Sequence, residues 1–221
     1  FLFLSSKSKI LIEMNHDSVK YFKNFSKINN VYLLLGSIPI TENDKLFNRS
    51  ILINPDGDII SIYDKIHMFD ITLKNGESYK ESDFYSPGSE LKITKVLGHS
   101  VGHTICYDLR YPKLYRALAK KGSQIIVVPS AFTHTTGKAH WHSLIKARAI
   151  ENGVFILAPN QWGVNNEKRV TYGHTLIVDP WGETLAEAED GEMIIAAELD
   201  LNRVRECQNA IPVLDNDRNF D

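Results

Sequence analysis

One cysteine lies where a predicted strand gives way to a predicted helix, which suits it to act as a nucleophile. Cys106 follows the run 102–105 (GHTI) and precedes 107–112 (YDLRYP), and Pro112 suits the first turn of a helix. A side chain at such a junction is exposed at the sheet edge, where backbone N–H groups point towards whatever it attacks. The thiol could therefore attack a carbonyl carbon, although a lone cysteine is also commonly a buried structural residue.

Two kinds of partner could activate this thiol. A Cys–His pair would use His103 or His67, as in cysteine peptidases. However, His103 comes three residues before Cys106 on the predicted strand and therefore points to the opposite face. A Cys–Lys–Glu arrangement would instead use Lys65 and an acid such as Glu81.

The elements that position these residues alternate between short β-rich runs and amphipathic segments of helix length. Strands are predicted at residues 31–38 (ended by Pro39), 49–54, 59–63, 100–106, 124–129, 154–158, 172–178 and 193–199. The 55–58 turn makes a hairpin of the second and third strands. Helices are predicted from Pro112 to a Gly122 cap, over 139–152 and over 200–208. This order predicts an α/β fold in which helices cover sheet.

Composition and charge exclude several classes of protein. The chain has 221 residues, and 25 Lys and Arg against 27 Asp and Glu give a formal net charge of −2. Nucleic-acid-binding proteins usually carry a strong basic excess, and the apolar runs are far too short to span a bilayer. Two cysteines, Cys106 and Cys207, cannot build a disulfide scaffold, which favours the cytoplasm. We expect one domain over residues 1–221, with neither nucleic acid nor membrane as a partner.

Several motifs follow one another in a fixed order. They are 63–70 (YDKIHMFD), 81–82 (ES), 87–88 (PG), 105–112 (ICYDLRYP), 129–132 (PSAF), 137–141 (GKAHW), 148–152 (RAIEN), 172–174 (YGH) and 178–182 (VDPWG). Over roughly residues 30 to 221, the chain resembles the carbon–nitrogen hydrolase (nitrilase) superfamily. It is most similar to the Nit branch, which contains deaminated glutathione amidases and omega-amidases.

The resemblance implies an αββα sandwich and a Glu–Lys–Cys triad without a cofactor. Cys106 matches the nucleophile, which would attack an amide carbon and give a tetrahedral intermediate, a thioester and ammonia, and finally the acid. Lys65 matches the lysine that stabilises the oxyanion, helped by the backbone N–H of Tyr107. Glu81 matches a second glutamate that orients the lysine and the substrate, and Arg110 matches a residue that faces a substrate carboxylate. A purely structural ion pair is the alternative role for Arg110.

Further expectations concern the pocket and the assembly. Tyr107, Phe132 and Thr133 could line the substrate pocket, and Trp162 could line it or pack in the core. Similar enzymes are dimers or larger, so we expect a homo-oligomer that acts on a small-molecule amide. The runs 161–163 (QWG), 167–169 (EKR) and 172–174 (YGH) look closer to deaminated glutathione amidase, with an omega-amide such as 2-oxoglutaramate as the second candidate substrate.

The family's general base is a glutamate in a Pro-Glu step at the end of an early strand, and this sequence has no such step. Matching residues 1–4 (FLFL) to that strand places Ser5 and Ser6 at the step, which would disable the enzyme. Spacing back from Val31 places the glutamate before residue 1, and we favour this match because it needs no deletion. We therefore expect a chain without the first β-α-β elements of the fold. The alternative is a catalytically inactive relic or binding protein.

The histidines are not expected to bind metal on sequence grounds. His134, His140 and His142 are spaced H-x5-H-x-H, which lacks a pair four residues apart on a helix, and no cysteine accompanies them. His142 also departs from the family pattern, because a glutamate usually follows the tryptophan that Trp141 matches.

Overall fold

The computed structural model of this protein describes residues 12–73, 76, 78–166 and 169–218. These residues form a mixture of α-helices and β-strands. These residues group into two units, 1–92 and 93–221, and the single domain expected over the whole chain stays a prediction. Two parts of the sequence analysis fall outside the described residues. They are the match of residues 1–4, Ser5 and Ser6 to the family's early strand, and part of the motif at 167–169. The α/β class predicted from the sequence is confirmed.

In the first unit, a helix packs on an antiparallel meander. Helix α1 (Asp17–Asn29) precedes β1 (Leu33–Glu42), β2 (Lys45–Ile53) and β3 (Ile59–Asp64), which pair in that order. Their shared core consists of Val19, Leu35, Ile51 and Ile53, with Met14, Leu33, Ile38 and Ile59 packed against it. A small hairpin of β4 (Asp70–Thr72) and β5 (Ser78–Lys80) then leads into a 3-10 turn over Glu81–Asp83.

The predicted hairpin between β2 and β3 is confirmed. The side-chain oxygen of Asn54 accepts hydrogen bonds from the N–H groups of Asp56 (3.1 Å) and Asp58 (2.8 Å). Gly57 has a φ of +84°, a conformation that glycine adopts without steric cost. The expected end of the first strand at Pro39 is wrong, because β1 continues to Glu42. Proline is tolerated here because β1 is bulged just before it, between Leu35 and Ile38.

The second unit contains a sheet with the strand order β13-β12-β9-β8-β7-β6 among its described residues. Its elements, in chain order, are β6 (Ile93–Val96), β7 (His99–His103), a 3-10 turn (Cys106–Arg110), α2 (Pro112–Lys120), β8 (Ile125–Val127), α3 (His134–Asn152), β9 (Phe155–Ala158), β10 (Trp162–Asn166), β11 (Arg169–Tyr172), β12 (Leu176–Val178), β13 (Thr184–Glu187) and α4 (Asn202–Ala210). Strands β7, β8 and β9 are parallel, with α2 and α3 as crossovers, and β10 and β11 form a separate hairpin. The segments after β7, β8 and β9 therefore emerge at one edge of the sheet.

Four predictions about the elements of this unit are wrong. Strand β7 ends at His103 and not at residue 106, and α3 begins at His134, five residues earlier than expected. The strand predicted over 172–178 is split by Gly173 and His174, whose φ values are +72° and +54°. The described residues 193–199 form no strand, and β13 pairs with β12 instead.

Helix α2 confirms the prediction made from Pro112, which occupies its first turn. Gly122 follows the helix with a φ of +89°, as expected for a residue that ends it. No helix in the described ranges is both long and apolar enough to cross a membrane.

Candidate active site

Cys106 is the first residue of the tight turn that follows β7. Its φ is +49°, which is unusual for a residue other than glycine, and only 7% of the residue is exposed. Its N–H donates to the carbonyl of Pro129, just after β8, at 3.0 Å. A strained residue between a parallel strand and a helix is the backbone arrangement of a nucleophile elbow. The backbone geometry therefore suits a thiol that attacks a substrate, but the expectation that this side chain is exposed is wrong, because the residue is buried.

The buried carboxylate of Asp108 closes this turn. Its Oδ2 accepts the N–H of Ile105 at 2.9 Å, while the Asp108 N–H donates to the Ile105 carbonyl at 3.0 Å. Asp108 is completely buried, so these bonds are shielded from water. The pair holds the backbone on both sides of Cys106 in one conformation.

Arg148 of helix α3 holds the same turn by a hydrogen bond to its backbone. Its Nε donates to the carbonyl of Leu109 at 2.9 Å, and its guanidinium lies 5.5 Å from the centre of the Tyr115 ring. The Tyr115 hydroxyl is 2.8 Å from Oγ1 of Thr104, and burial raises the pKa of this tyrosine. These contacts join the turn to α2, α3 and the end of β7, so Cys106 lies on a rigid base.

The guanidinium of Arg110 lies between two aromatic rings at the end of the turn. Its carbon is 5.9 Å from the ring centre of Tyr107 and 5.4 Å from that of Phe132. Nη1 lies 3.3 Å from Nδ1 of His140, and because a guanidinium can only donate, this imidazole nitrogen is the acceptor. Burial lowers the pKa of Arg110. No carboxylate in the described part of this unit forms an ion pair with Arg110, so the structural ion pair considered above lacks a partner there.

Phe132 and Thr133 follow β8 at the same sheet edge. The Phe132 N–H donates to Oδ1 of Asn160 at 3.0 Å, and the Phe132 ring packs 4.8 Å from that of Trp141. Thr133 is buried and its Oγ1 caps α3 by accepting the N–H of Thr136 at 3.4 Å. The Thr133 hydroxyl therefore has a structural partner, and its predicted contact with substrate stays a prediction.

The first unit brings Lys65 and Glu81 together. Their side chains form a buried ion pair, with only 1% of Lys65 and 4% of Glu81 exposed. Oε2 of Glu81, which contacts the lysine ammonium, also accepts a hydrogen bond from the Phe69 N–H at 2.7 Å. Oε1 of Glu81 accepts a hydrogen bond from Nδ2 of Asn48 at 2.9 Å. The Asn48 amide oxygen in turn contacts the Ser37 hydroxyl. Glu81 therefore holds the lysine ammonium in a fixed position, and its predicted role towards a substrate stays a prediction.

The backbone of Lys65 is fixed as well. Its N–H donates to the Asn48 carbonyl at 2.9 Å, and its carbonyl accepts the Gly88 N–H at 2.8 Å. A Cβ at Gly88 would lie 2.3 Å from the carbonyl oxygen of Asp64, so only glycine fits here. The PG motif at 87–88 thus has a steric reason, since it lets the chain pass against the strand end that carries the lysine.

Sequence reasoning missed four supporting residues: Asn48, Asp108, His140 and Arg148. Asp108 carried a local signal, because its carboxylate reaches the N–H three residues earlier as in a capping box. The others act across 30 or more residues, as in the bond from Arg148 to Leu109, and no spacing rule reveals such pairs. The rival candidate His103 places Nε2 3.1 Å from the hydroxyl oxygen of Thr94.

A cavity of about 380 Å³ lies beside the β10–β11 hairpin. Its lining includes His134, Lys138, Trp162, Tyr172, His174 and Asp190. Trp162 is 45% exposed, so it is a surface residue and not part of the core.

Comparison with known proteins supplies the family context for this geometry. The family model described as carbon–nitrogen hydrolase matches residues 4–209. Deaminated glutathione amidase of Yersinia enterocolitica is 40% identical over 192 residues, which cover 85% of this chain and 67% of that protein. Omega-amidase NIT2 of Xenopus tropicalis is 36% identical over 197 residues, covering 89% of this chain and 71% of that protein.

Solved structures show the same fold. The NitFhit protein of C. elegans superposes with a TM-score of 0.84 at 31% identity, over 93% of this chain and 51% of that chain. Nit3 of Saccharomyces cerevisiae, a member of branch 10 of the nitrilase superfamily, gives a TM-score of 0.81 at 33% identity, over 92% of this chain and 72% of that one.

Proposed function

We propose that this chain, which belongs to the carbon–nitrogen hydrolase family, is a thiol-dependent amidase for a small amide that carries a carboxylate. The observation that carries the proposal is the turn of residues 106–110. It presents a cysteine in a strained conformation and, four residues later, a guanidinium between two aromatic rings without a carboxylate partner in the described part of its unit. One short element thus supplies a nucleophile and an anchor for an anion.

In the proposed reaction, Sγ of Cys106 attacks the amide carbon and forms a tetrahedral intermediate. The Lys65 ammonium, held by Glu81, and the backbone N–H of Tyr107 stabilise its oxyanion. The C–N bond then breaks, the amine leaves with the proton that came from the thiol, and a thioester remains. Water hydrolyses the thioester to the carboxylic acid and restores the thiol.

The proton transfer needs a general base. The absence of the family's usual base from this sequence is the observation that supports a second candidate function. A positioned base contributes about 10²–10⁴-fold in rate, and the family's Pro-Glu step does not occur in these 221 residues. A catalytically inactive relic or binding protein of the same fold is therefore the alternative.

The proposed role of Arg110 limits the candidate substrates to amides that carry a carboxylate. Deaminated glutathione is the favoured substrate because of the motifs around 161–174 and the similarity to relatives of that name, and 2-oxoglutaramate is the second candidate. The leaving group differs between them, since the amide nitrogen of deaminated glutathione belongs to cysteinylglycine and that of 2-oxoglutaramate leaves as ammonia. We also propose a homodimer or larger assembly, which light scattering on a size-exclusion column would measure.

The test measures amine release from both substrates by the chain and two cysteine variants. Cys106→Ala should lower the rate by more than about 10³-fold, because the nucleophile is gone. Cys207→Ala is the matched control, since this second buried thiol lies in α4 and burial raises its pKa. Acid-quenched samples should show an acyl adduct on Cys106 by mass spectrometry. A rate that is the same in the Cys106→Ala variant would contradict the proposal, and no release by any of the three proteins would favour the inactive alternative.

Recognition of the carboxylate has its own test. Arg110→Met should raise KM for the favoured substrate by about 10–100-fold, because hydrogen bonds to charged groups contribute about 1.5–3 kcal/mol. The same amide with its carboxylate esterified should be little affected by the substitution. An equal loss with both amides would show that Arg110 supports the turn and does not bind the carboxylate.

A further inference from the structure

We propose that His142, His174 and Glu187 bind a divalent transition-metal ion of the Zn²⁺ class and so tie helix α3 to the edge strand β13. Two imidazoles and one carboxylate are a donor set that Zn²⁺ uses in proteins. One ligand atom from each of the three side chains lies within 4.8 Å of the others. The proposal does not rest on the amidase function, because its tests measure ion binding and stability.

Both imidazoles already lie near the glutamate oxygen at close to the spacing that an ion requires. Nε2 of His142 is 2.7 Å from Oε1 of Glu187, and Nδ1 of His174 is 3.1 Å from the same oxygen. Ligand atoms at about 2.0–2.1 Å from a tetrahedral Zn²⁺ are about 3.3 Å apart. The distance from Glu187 to His142 therefore needs to open by about 0.6 Å, and the distance from Glu187 to His174 by about 0.2 Å.

Three different elements hold these side chains in place. His142 lies on α3, His174 lies between β11 and β12, and Glu187 is the last residue of β13. The backbone carbonyl of His174 accepts the indole N–H of Trp141 at 2.8 Å, and Trp141 is completely buried next to His142 in the helix. This bond fixes the His174 backbone to α3, so the site is organised without the ion.

The surroundings also favour a cation. Oδ1 of Asp190 lies 3.7 Å from Nε2 of His174, on the opposite side of the ring from Glu187. At this distance the Asp190 carboxylate adds negative charge beside the site without a hydrogen bond to the ring. The side chains of His142, His174 and Glu187 are 35%, 26% and 36% exposed, so an ion can enter from solvent and keep water as its fourth ligand.

A hydrogen-bonded network is the competing explanation of the same distances. In that network the carboxylate of Glu187 accepts one hydrogen bond from each imidazole, and both facing nitrogens carry hydrogen. An ion would replace these two protons at the facing nitrogens. The two explanations therefore differ in whether Zn²⁺ binds at all, which a titration measures directly.

The experiment titrates Zn²⁺ alone into the chelator-treated full chain by calorimetry, with a chromogenic chelator as competitor. The Cys106→Ala, Cys207→Ala background removes both thiols as alternative ligands. We expect one ion per chain, and a loss of affinity of more than about 100-fold in His142→Gln, since changes behind a ligand alone cost about 10–100-fold. The glutamine amide can still donate a hydrogen bond to Glu187 but is a poor zinc ligand.

His134→Gln is the matched control. The rings of His134 and His142 are both 6.0 Å from the ring of Tyr172, yet His134 does not belong to the cluster. This variant should keep the affinity of the parent chain. Zn²⁺ should also raise Tm of the parent and of His134→Gln by mass action, and leave Tm of His142→Gln unchanged.

Two results would overturn the proposal. One is the absence of binding at Zn²⁺ concentrations up to about 1 mM, and the other is an equal affinity in the parent, His142→Gln and His134→Gln. If circular dichroism shows that His142→Gln does not fold, His174→Gln and Glu187→Gln test the other two ligand positions. An affinity unchanged in both of those variants would likewise assign the cluster to hydrogen bonding alone.

Discussion

The buried pair of Lys65 and Glu81 should show a strong energetic coupling in a double-mutant cycle. Glu81→Leu leaves the lysine ammonium buried without its carboxylate, and Lys65→Met leaves the carboxylate without its cation. Removing one partner of a buried ion pair costs about 3–5 kcal/mol in the free energy of unfolding. The unpaired charges of the two single variants together should therefore cost about 8 kcal/mol, taking the middle of that range for each.

The double variant should lose much less than this sum. Methionine and leucine replace the pair by apolar groups of similar volume, a change that is often nearly neutral in itself. It leaves two donors without their acceptor, Nδ2 of Asn48 and the N–H of Phe69, which now bond to Glu81 at 2.9 and 2.7 Å. Each buried unsatisfied donor costs about 1–3 kcal/mol, so the double variant should lose about 4 kcal/mol. Glu81→Leu loses the same two bonds, so this cost cancels from the cycle and the coupling should be about 8 kcal/mol.

Urea unfolding followed by far-ultraviolet circular dichroism is the appropriate assay. Tryptophan fluorescence would report on the wrong unit, because Trp141, Trp162 and Trp181 all lie after residue 92. Lys80→Met is the matched control, since it removes a lysine whose pairing with Asp83 at 3.5 Å is exposed to water.

The control should change the free energy of unfolding by no more than about 1 kcal/mol. Single variants of the buried pair that cost less than that, or a double variant that equals the sum of the singles, would refute the reasoning. Either outcome would mean that water or a rearranged side chain already satisfies the partner that remains.

Three further perturbations test other contacts of the structure. Arg148→Met removes the bond to the Leu109 carbonyl and should cost about 1–3 kcal/mol in urea unfolding, and a smaller loss would show that water replaces the guanidinium. Gly88→Ala places a methyl group 2.3 Å from the Asp64 carbonyl oxygen and should cost about 1–3 kcal/mol by the same measurement, unless the segment moves away without loss. Burial raises the pKa of Tyr85 from 10.0 to about 12, so its contribution to stability is present below pH 10 and is lost as the pH rises towards 12. The stability of Tyr85→Phe should therefore fall less than that of the unaltered chain between these pH values, and identical slopes would contradict the assignment.

Elements with strong local signals could be predicted from the sequence. The β2–β3 hairpin follows from a turn in which Asn54 bonds two N–H groups and Gly57 adopts a positive φ. Helix α2 follows from Pro112 at its start and Gly122 just beyond its end. In each case the residues that carry the signal make their decisive contacts within four or five positions along the chain. A single sequence contains everything needed to recognise such elements.

Strands whose pairing depends on distant partners were harder to predict. The apolar run at 193–199 reads as a strand, yet Ile194 is 98% exposed and the run pairs with nothing described. The short β13, with only one residue of its four not exposed, becomes a strand because β12 offers it an edge. Apolar composition reports the tendency to be buried, whereas strand formation requires a partner that the sequence does not identify.

The candidate site divides in the same way. Motif order was enough to select Cys106, Lys65, Glu81 and Arg110, whereas the groups that hold them come from elsewhere in the chain. Asn48 is 33 positions from Glu81, and Arg148 is 39 positions from the carbonyl that it holds. Supporting contacts of this kind depend on the tertiary structure, so they become visible only when the strands and helices are assembled.

The positive φ of Cys106 is the clearest case of a feature that local sequence cannot specify. A left-handed conformation costs a residue with a Cβ about 1–3 kcal/mol, and no residue type near position 106 indicates it. The cost is offset by bonds from three directions: from the Cys106 N–H to Pro129, from the Ile105 N–H to Asp108, and from Arg148 to the end of the turn. At about 1 kcal/mol each, these bonds are together sufficient to hold the conformation. The thiol proposed as the nucleophile therefore belongs to one residue, whereas the backbone geometry that presents it depends on contacts from across the second unit.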